Sequence, residues 1–234
     1  MTFEICGDST ESYTLAKQFG VKRIELCSAL SAGGLTPSIG LIERCSEIGG
    51  VEIHAMIRHI EGGFVYSNDD IEIMKKDISY VRKAGATGVV FGCLNSENEI
   101  EKEQNKQLLS HAKNLGLEVT FHRAFDFCNN PKTSLDLLIE IGFDRLLTSG
   151  QESTAIEGIS MIRKLVIQAN RKIEIMAGSG VNISNAKELT SAGVDALHFT
   201  SHTVNSEKQY PGMGIKNSPN LKKIEAITST IKPA

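Results

Sequence analysis

The chain has 234 residues, a formal net charge of -3 at pH 7 and a pI near 6.1. This length suits one large α/β domain, and the charge gives no basic surface of the kind that nucleic-acid binding requires. The sequence contains no apolar run of about 18 residues that would mark a membrane span, and Met1 to Asp8 has the pattern of a strand rather than of a signal peptide. We therefore expect a cytoplasmic protein that has neither nucleic acid nor a membrane as a partner.

The five cysteines are scattered along the chain, and no two are spaced as Cys-x-x-Cys. An odd number of cysteines without paired spacing is not typical of a disulfide framework. The cysteines are therefore expected to be reduced thiols. Such thiols serve either as small core residues or as nucleophiles and soft-metal ligands.

Short β-rich runs alternate with longer amphipathic segments along the chain. The predicted strands are Phe3–Cys6, Arg23–Cys27, Glu52–Arg58, Gly88–Gly92, Leu117–His122, Arg145–Thr148, Ile173–Ala177 and Ala196–Phe199. Helices are predicted to begin near Ser9, Ser38, Asp69, Glu101, Pro131, Ser153, Asn182 and Pro219. Many of the helices are followed by a glycine, which the left-handed end of a helix favours.

Eight βα units in this length predict a (β/α)8 TIM barrel, a parallel eight-stranded barrel ringed by helices. A doubly wound open sheet is the alternative, but no Gly-x-Gly-x-x-Gly follows the first strand. We expect a single barrel domain over residues 1–234, in which the segment from about 200 to 234 forms a long loop and a final helix.

The alternation of side chains along the strands separates an apolar set from a polar and sulfur-containing set. The apolar set is expected to pack on the helices, so the other set lines the barrel interior and reaches its C-terminal mouth, where barrel enzymes have their sites. The predicted interior residues are Glu4, Cys6, Arg23, Glu25, Cys27, His54, Met56, Arg58, Thr120, His122, Glu174 and Met176.

Ionisable side chains converge on this mouth from several strands. Glu25 and His122 are candidates for acid and base catalysis, and Arg58 and Arg123 are candidates for holding an anionic group. Thr120, Asp126 and His198 complete the candidate ligand site. The alternative is a buried polar network whose members satisfy one another and only hold the barrel together.

Cys6 and Cys27 end neighbouring strands on the same predicted face. Because neighbouring strands lie only about 4.8 Å apart, the two sulfurs are expected to lie close together. Two close thiolates suit a soft ion, above all Cu(I), with Met56 or a histidine as an additional ligand. The alternative is that both are small core residues.

Glycine-rich loops follow the second and the seventh predicted strand. In the second of these loops, Gly178 and Gly180 precede a predicted helix, and exposed amides at such a place bind phosphate. The same glycines are also needed simply to turn the chain.

Several of these motifs together resemble the CutC copper homeostasis family. The matching motifs occur in order from Glu4 to about His198 and are Glu4-Ile-Cys6, Arg23-Ile-Glu-Leu-Cys27, Gly33-Gly-Leu-Thr-Pro-Ser38, Met56-Ile-Arg58, Met74 to Asp77-Ile78, Phe91-Gly92, Thr120-Phe-His-Arg-Ala-Phe-Asp126, Leu147-Thr-Ser-Gly150 and Ile175-Met-Ala-Gly178.

The resemblance implies a cytoplasmic barrel, commonly paired as a homodimer, that is linked to copper tolerance and binds Cu(I). Within it, Cys6 and Cys27 match the proposed copper ligands. The chain departs from the family pattern in having His59-Ile60 where Pro-Arg is usual, and Ser179 where glycine is usual.

Two hypotheses follow. The first is a cytoplasmic copper homeostasis protein that binds Cu(I) through Cys6 and Cys27. The second is a TIM-barrel enzyme of the lyase or isomerase type, in which Glu25 and His122 act on a small anionic or phosphorylated metabolite.

Overall fold

The computed structural model describes residues 1–209 and 215–230. Eight parallel strands close into a barrel in chain order, and the last pairs with the first, which confirms the predicted fold. The barrel strands are β1 Thr2–Gly7, β2 Arg23–Leu26, β3 Glu52–Met56, β4 Gly88–Phe91, β5 Glu118–Phe121, β6 Arg145–Thr148, β7 Glu174–Ala177 and β8 Ala196–Thr200.

Helices connect the strands on the outside of the barrel. They are α1 Thr10–Gln18, α2 Ile39–Ile48, α3 Asn68–Lys83, α4 Lys102–Asn114, α5 Pro131–Ile141, α6 Ile159–Ala169, α7 Ala186–Ser191 and α8 Leu221–Thr230. Two short 3-10 turns, Leu30–Ala32 and Arg123–Phe127, follow β2 and β5. Among the described helices, none combines the length and the apolar character needed to cross a bilayer.

The first five helices begin within a residue or two of their predicted starts because their capping residues act as the sequence indicates. Ser9 and Ser38 accept hydrogen bonds from backbone amides of the first turn, and Ser67 forms a reciprocal capping box with Asp70. Such caps satisfy amides that would otherwise have no partner at a helix start.

Helix α6 begins at Ile159, not near Ser153 as predicted. Thr154 and Glu157 exchange hydrogen bonds in the manner of a capping box, but within a turn that precedes the helix. At Gly158 the chain passes so close to β6 that a Cβ atom would lie 1.9 Å from the carbonyl oxygen of Ser149. The helix therefore starts only after this glycine.

The C-terminal segment contains more than the predicted loop and final helix. An antiparallel pair of strands, β9 His202–Gln209 and β10 Ile215–Pro219, precedes α8. Residues 210–214 and 231–234 of the predicted loop and helix lie outside the described part of the chain.

The apolar side chains divide into two compartments, as the alternation predicts. Residues such as Ile5, Ile24 and Val119 face outward and join the large core between barrel and helices. Inside the barrel lie two separate small clusters, one of Cys6, Cys27, Met56 and Val90 and one of Leu147, Met176 and Ala196. Cys6 and Cys27 thus belong to the interior of the barrel and not to the helix-packing core.

Candidate functional site

The lower half of the barrel interior is filled by ion pairs. Arg23 is 1% exposed and binds Glu4, which is fully buried, and Glu174 at 3.3 Å. Arg145 donates to Glu174 at 2.7 Å and to Thr120 at 3.0 Å. Because each buried charge has a partner of opposite sign, this layer forms a closed floor beneath the mouth.

Above this floor, His198 lies between two buried carboxylates. Its Nδ1 donates to Glu4 Oε1 at 2.8 Å, and its Nε2 lies 3.7 Å from Glu25 Oε2. Burial alone would lower the pKa of His198, but the charge of Glu25 and hydrogen bonds with Cys6 and Glu4 outweigh burial and raise that pKa well above its usual value. Burial likewise raises the pKa of Glu4, but the hydrogen bond from His198 and the charge of Arg23 outweigh it and hold that pKa well below its usual range. The pair is therefore imidazolium and carboxylate at neutral pH.

The two sulfurs lie beside Glu25 in the barrel interior. Cys6, Cys27 and Glu25 each offer one ligand atom, and all three atoms lie within 4.8 Å of one another. Cys27 Sγ lies 3.5 Å from Glu25 Oε2. Gly34 lies over this group, because a Cβ atom there would be 3.2 Å from Cys27 Sγ and 3.5 Å from Met56 Cε.

The pKa values of Cys6, Cys27 and Glu25 depend on one another. A hydrogen bond with Cys27 lowers the pKa of Cys6 to about 5, against burial, which raises it. The same contact and burial raise the pKa of Cys27. Burial raises the pKa of Glu25, and the neighbouring Cys6 adds to the effect. These directions favour a thiolate on Cys6 beside a protonated Cys27.

A cavity of about 1060 Å³ opens above this group at the C-terminal end of the strands. It is formed by the loops after β2, β3, β5, β7 and β8 together with α8. The predicted site residues that line it are Cys6, Glu25, Arg58, His122, Arg123, Gly180 and His198. The predicted residues Cys27, Thr120, Asp126 and Gly178 lie behind its wall.

Arg58 binds backbone rather than leaving its guanidinium free. It donates to the carbonyl oxygens of Ala32 at 2.8 Å, Gly34 at 3.1 Å and Gly62 at 2.8 Å. Its guanidinium carbon also lies 5.4 Å from the centre of the Phe64 ring. Arg58 therefore fixes the loops after β2 and β3 relative to each other.

Asp126 fastens the loop after β6. It accepts hydrogen bonds from the backbone amides of Ser149 and Gln151 at 3.0 and 3.2 Å and pairs with Arg123 Nε at 2.8 Å. Arg123 also donates to Ser149 Oγ at 2.9 Å, which holds its guanidinium at the cavity wall. Arg123 therefore lines the cavity, and Asp126 positions the Arg123 guanidinium.

His122 is a neutral imidazole whose Nδ1 accepts a hydrogen bond from the Ala124 amide at 3.3 Å. Burial, with Arg58 nearby, lowers the pKa of His122 to about 3. Since Nδ1 is an acceptor, the proton is on Nε2, and this nitrogen has no partner among the described residues. A histidine in this state is a poor base at neutral pH and a good hydrogen-bond donor.

Three predicted ligand residues have roles in packing and turns. Thr120 is fully buried and accepts from Arg145. A Cβ atom on Gly178 would lie 2.5 Å from Leu147 Cδ1 and 3.3 Å from His198 Cβ, so the glycine makes room for both side chains. Gly180 has a φ of +71°, which favours glycine.

Sequence reasoning missed Lys223 and His202, which both line the cavity. Lys223 lies on α8 and His202 begins β9, beyond the last barrel strand. No motif marks either residue, and only the closed fold brings them to the mouth. His59 and Ile60 replace the Pro-Arg that is usual in the family pattern. Ile60 is 52% exposed, and His59 Nε2 lies 2.9 Å from Asp70 Oδ1.

The two neutral buried histidines should make the protein sensitive to acid. Burial lowers the pKa of both His54 and His122 to about 3 from an unfolded value of 6.5. Between these values the unfolded chain binds more protons, so stability is complete above about pH 6.5 and is lost as the pH falls.

We expect each of the two histidines to remove roughly 2 kcal/mol from the free energy of unfolding between pH 7 and pH 5. Urea unfolding of the parent and of His122→Asn measures this, because the asparagine amide oxygen replaces the Nδ1 acceptor without a titrating group. The variant should lose less stability than the parent over this interval. Equal losses in the two proteins would refute the assignment of His122 as a buried neutral histidine.

These observations define a class: a TIM barrel with a thiol and carboxylate group at the base of an open mouth. The CutC family model matches residues 1–203 of this chain. A family protein CutC from Glaesserella parasuis serovar 5 (strain SH0165) is 46% identical over 202 residues, which cover 86% of this chain and 82% of that protein. A family protein CutC from Vibrio cholerae (strain M66-2) is 44% identical over 201 residues, which cover 86% of this chain and 79% of that protein. The chain therefore belongs to the CutC family.

Solved structures show the same relationship. A CutC from Streptococcus agalactiae, described as a copper homeostasis protein, superposes with a TM-score of 0.80 at 35% identity and covers 85% of this chain and 98% of that one. The 3-hexulose-6-phosphate synthase from Salmonella typhimurium gives a TM-score of 0.64 at 16% identity, with 98% of both chains covered. This second likeness concerns the fold alone.

Proposed function

We propose that this protein binds Cu(I) through Cys6 and Cys27 and acts in copper homeostasis. One observation carries the proposal: the two sulfurs lie within 4.8 Å of each other, with Cys6 at the base of the open cavity and Cys27 directly behind it. The family membership supports the copper role, because the Streptococcus agalactiae relative is described as a copper homeostasis protein.

The chemistry of the donor group favours Cu(I) over harder ions. Thiolate and thioether sulfur are the ligands that select Cu(I), and Met56 packs in the same small cluster as Cys6 and Cys27. The pKa of Cys6 is lowered to about 5, so one thiolate is available at neutral pH. The second thiol must release its proton when the metal binds, which makes binding stronger as the pH rises.

The setting of the protein is part of the proposal. All five cysteines are free and buried, which suits a reducing compartment such as the cytoplasm. A homodimer is the expected assembly, on the family resemblance.

The decisive experiment is an anaerobic Cu(I) titration in competition with a chromophoric Cu(I) chelator. We expect about one Cu(I) per chain, with X-ray absorption of the loaded protein showing sulfur as the principal ligand. A protein that cannot take Cu(I) from the weakest chelator of the series, or whose bound copper has no sulfur ligand, would contradict the proposal.

A second candidate function is an enzyme that performs acid/base chemistry on a small anionic or phosphorylated metabolite. One observation favours it: Glu25 Oε1 is buried at the cavity floor and has no hydrogen-bond partner among the described residues. Such an atom is available to exchange a proton with a bound molecule. In this reading Glu25 is the acid, whereas the neutral His122 contributes a hydrogen bond.

Glu25→Gln tests the second candidate. The substitution keeps the shape of the side chain and removes its exchangeable carboxyl proton. Ligands that shift the thermal unfolding of the parent would then be incubated with both proteins, and their turnover followed by NMR. Turnover by the parent and at least about a hundredfold less by the variant is the expected result, the size usual for a general acid. Equal turnover would exclude this role of Glu25.

A further inference from the structure

The cavity is far larger than a copper ion requires. Its volume is about 1060 Å³, whereas pockets for small organic molecules measure roughly 300–1,000 Å³. Cys6 and Glu25 account only for its floor, and Cys27 lies behind that floor. The walls above them carry groups that copper binding does not use.

Lys223 is the cation of this wall that has the fewest partners. Arg58 is engaged by three carbonyl oxygens and Arg123 by Asp126. The ammonium of Lys223 has one recorded contact among the described residues, the carbonyl oxygen of His202 at 3.4 Å. Its side chain is partly buried, and burial lowers its pKa with no carboxylate among the described side chains to oppose the shift. A partly buried ammonium in this state attracts an anion.

His122 is the second side chain of the cavity wall that has a polar group available to a ligand. Its side chain is only 4% exposed and lines the cavity, and its buried Nε2–H has no acceptor among the described residues. A buried donor without an acceptor loses the free energy of the hydrogen bond it made to water. An acceptor on a bound molecule would restore it.

Aromatic side chains form the wall next to His122. The Phe64 ring packs edge-on against His122 with 4.9 Å between ring centres. The Phe127 ring lies 5.8 Å from that of Phe64 and is 58% exposed although it lines the cavity. This wall suits the flat or apolar body of a ligand.

Lys223 and His122 lie on different elements, since one side chain comes from α8 and the other from the end of β5. We propose that the cavity binds a small organic anion with two polar ends. Its acidic group pairs with Lys223, and its other end accepts a hydrogen bond from His122 Nε2. The body of the ligand packs on Phe64 and Phe127. The proposal is independent of copper, because it uses neither Cys6 nor Cys27.

The probe for the test is 4-nitrophenyl phosphate, which has a phosphate at one end of a flat ring and a hydrogen-bond acceptor at the other. Phenyl phosphate lacks the acceptor, and 4-nitrobenzyl alcohol lacks the charge. Binding is measured by isothermal titration calorimetry at constant pH. The parent should bind 4-nitrophenyl phosphate more tightly than either of the other two compounds.

Matched variants identify the two ends. Lys223→Met should weaken binding of 4-nitrophenyl phosphate by about tenfold or more, the loss expected for a hydrogen-bonded ion pair. Lys222→Met, at the exposed neighbouring lysine, should leave it unchanged. His122→Asn should weaken 4-nitrophenyl phosphate and leave phenyl phosphate unaffected.

Three results would overturn the proposal. They are equal affinity of the parent for the neutral alcohol and the phosphate, equal losses in Lys223→Met and Lys222→Met, and no binding of any of the three probes. The copper proposal is tested separately, because Lys223→Met should retain Cu(I) and the double variant Cys6→Ser, Cys27→Ser should retain 4-nitrophenyl phosphate.

Discussion

In the double variant Cys6→Ser, Cys27→Ser, the affinity for Cu(I) should fall by more than about a hundredfold. Loss of an outer partner of a metal ligand already costs about 10–100-fold, and here both sulfur ligands are removed. Serine keeps the size of the side chain, and its hydroxyl is a hard, protonated ligand that does not suit Cu(I). The measurement is the anaerobic competition titration, with parent and variant in the same chelator series.

The matched control is the double variant Cys45→Ser, Cys128→Ser. These two cysteines are also buried, but they belong to the core between barrel and helices. The control removes the same number of thiols and should bind Cu(I) as the parent does. If both double variants retain the parent's affinity, Cys6 and Cys27 are small residues of the barrel interior and not copper ligands. Circular dichroism verifies that each variant is folded.

The largest change in stability is expected for Arg23→Met. Arg23 is 1% exposed, and its removal leaves the fully buried Glu4 with His198 as its remaining partner. Breaking a buried ion pair from one side costs about 3–5 kcal/mol, a large part of the roughly 5–15 kcal/mol that stabilises an ordinary domain. Urea unfolding at pH 7 measures the change in the free energy of unfolding.

Two further variants test whether the loss of stability in Arg23→Met comes from its ion pair with Glu4. Lys22→Met changes the neighbouring residue, whose side chain is 61% exposed and lies 3.8 Å from Glu52, and should change stability by less than about 1 kcal/mol. The double variant Arg23→Met, Glu4→Gln removes both charges and should be more stable than Arg23→Met alone. A loss below about 1 kcal/mol in Arg23→Met would show that the floor of the barrel does not depend on this pair.

The barrel is predictable because its signals are local. Alternation in segments such as Glu4-Ile-Cys6 separates the two faces of each strand, and serines and glycines mark the ends of the helices. The prediction is wrong for the start of α6, where a capping pattern at Thr154 belongs to a turn. The start of α6 depends on the close approach of Gly158 to Ser149, the residue that follows β6. No sequence pattern indicates that these two residues are in contact.

The site is predictable to a smaller extent, for the same physical reason. The convergence of Cys6, Glu25, His122 and His198 follows from the strand pattern. The strand pattern does not predict the hydrogen-bond and ion-pair partners of these side chains, and those partners determine the chemistry of each group. Arg58 finds its carbonyl partners at Ala32 and Gly62 in two different loops, and Lys223 reaches the mouth from the last helix.

Gly34 and Arg58 together make the two sulfurs unequal. Gly34 covers Cys27, and the Arg58 guanidinium holds the Gly34 carbonyl in place at 3.1 Å. Cys6 faces the open cavity. If Cu(I) binds as proposed, Cys6 would be the ligand within reach of an incoming thiol and Cys27 the shielded one. A protein that took up this metal would then need to present only one sulfur to the mouth, without any opening of the barrel.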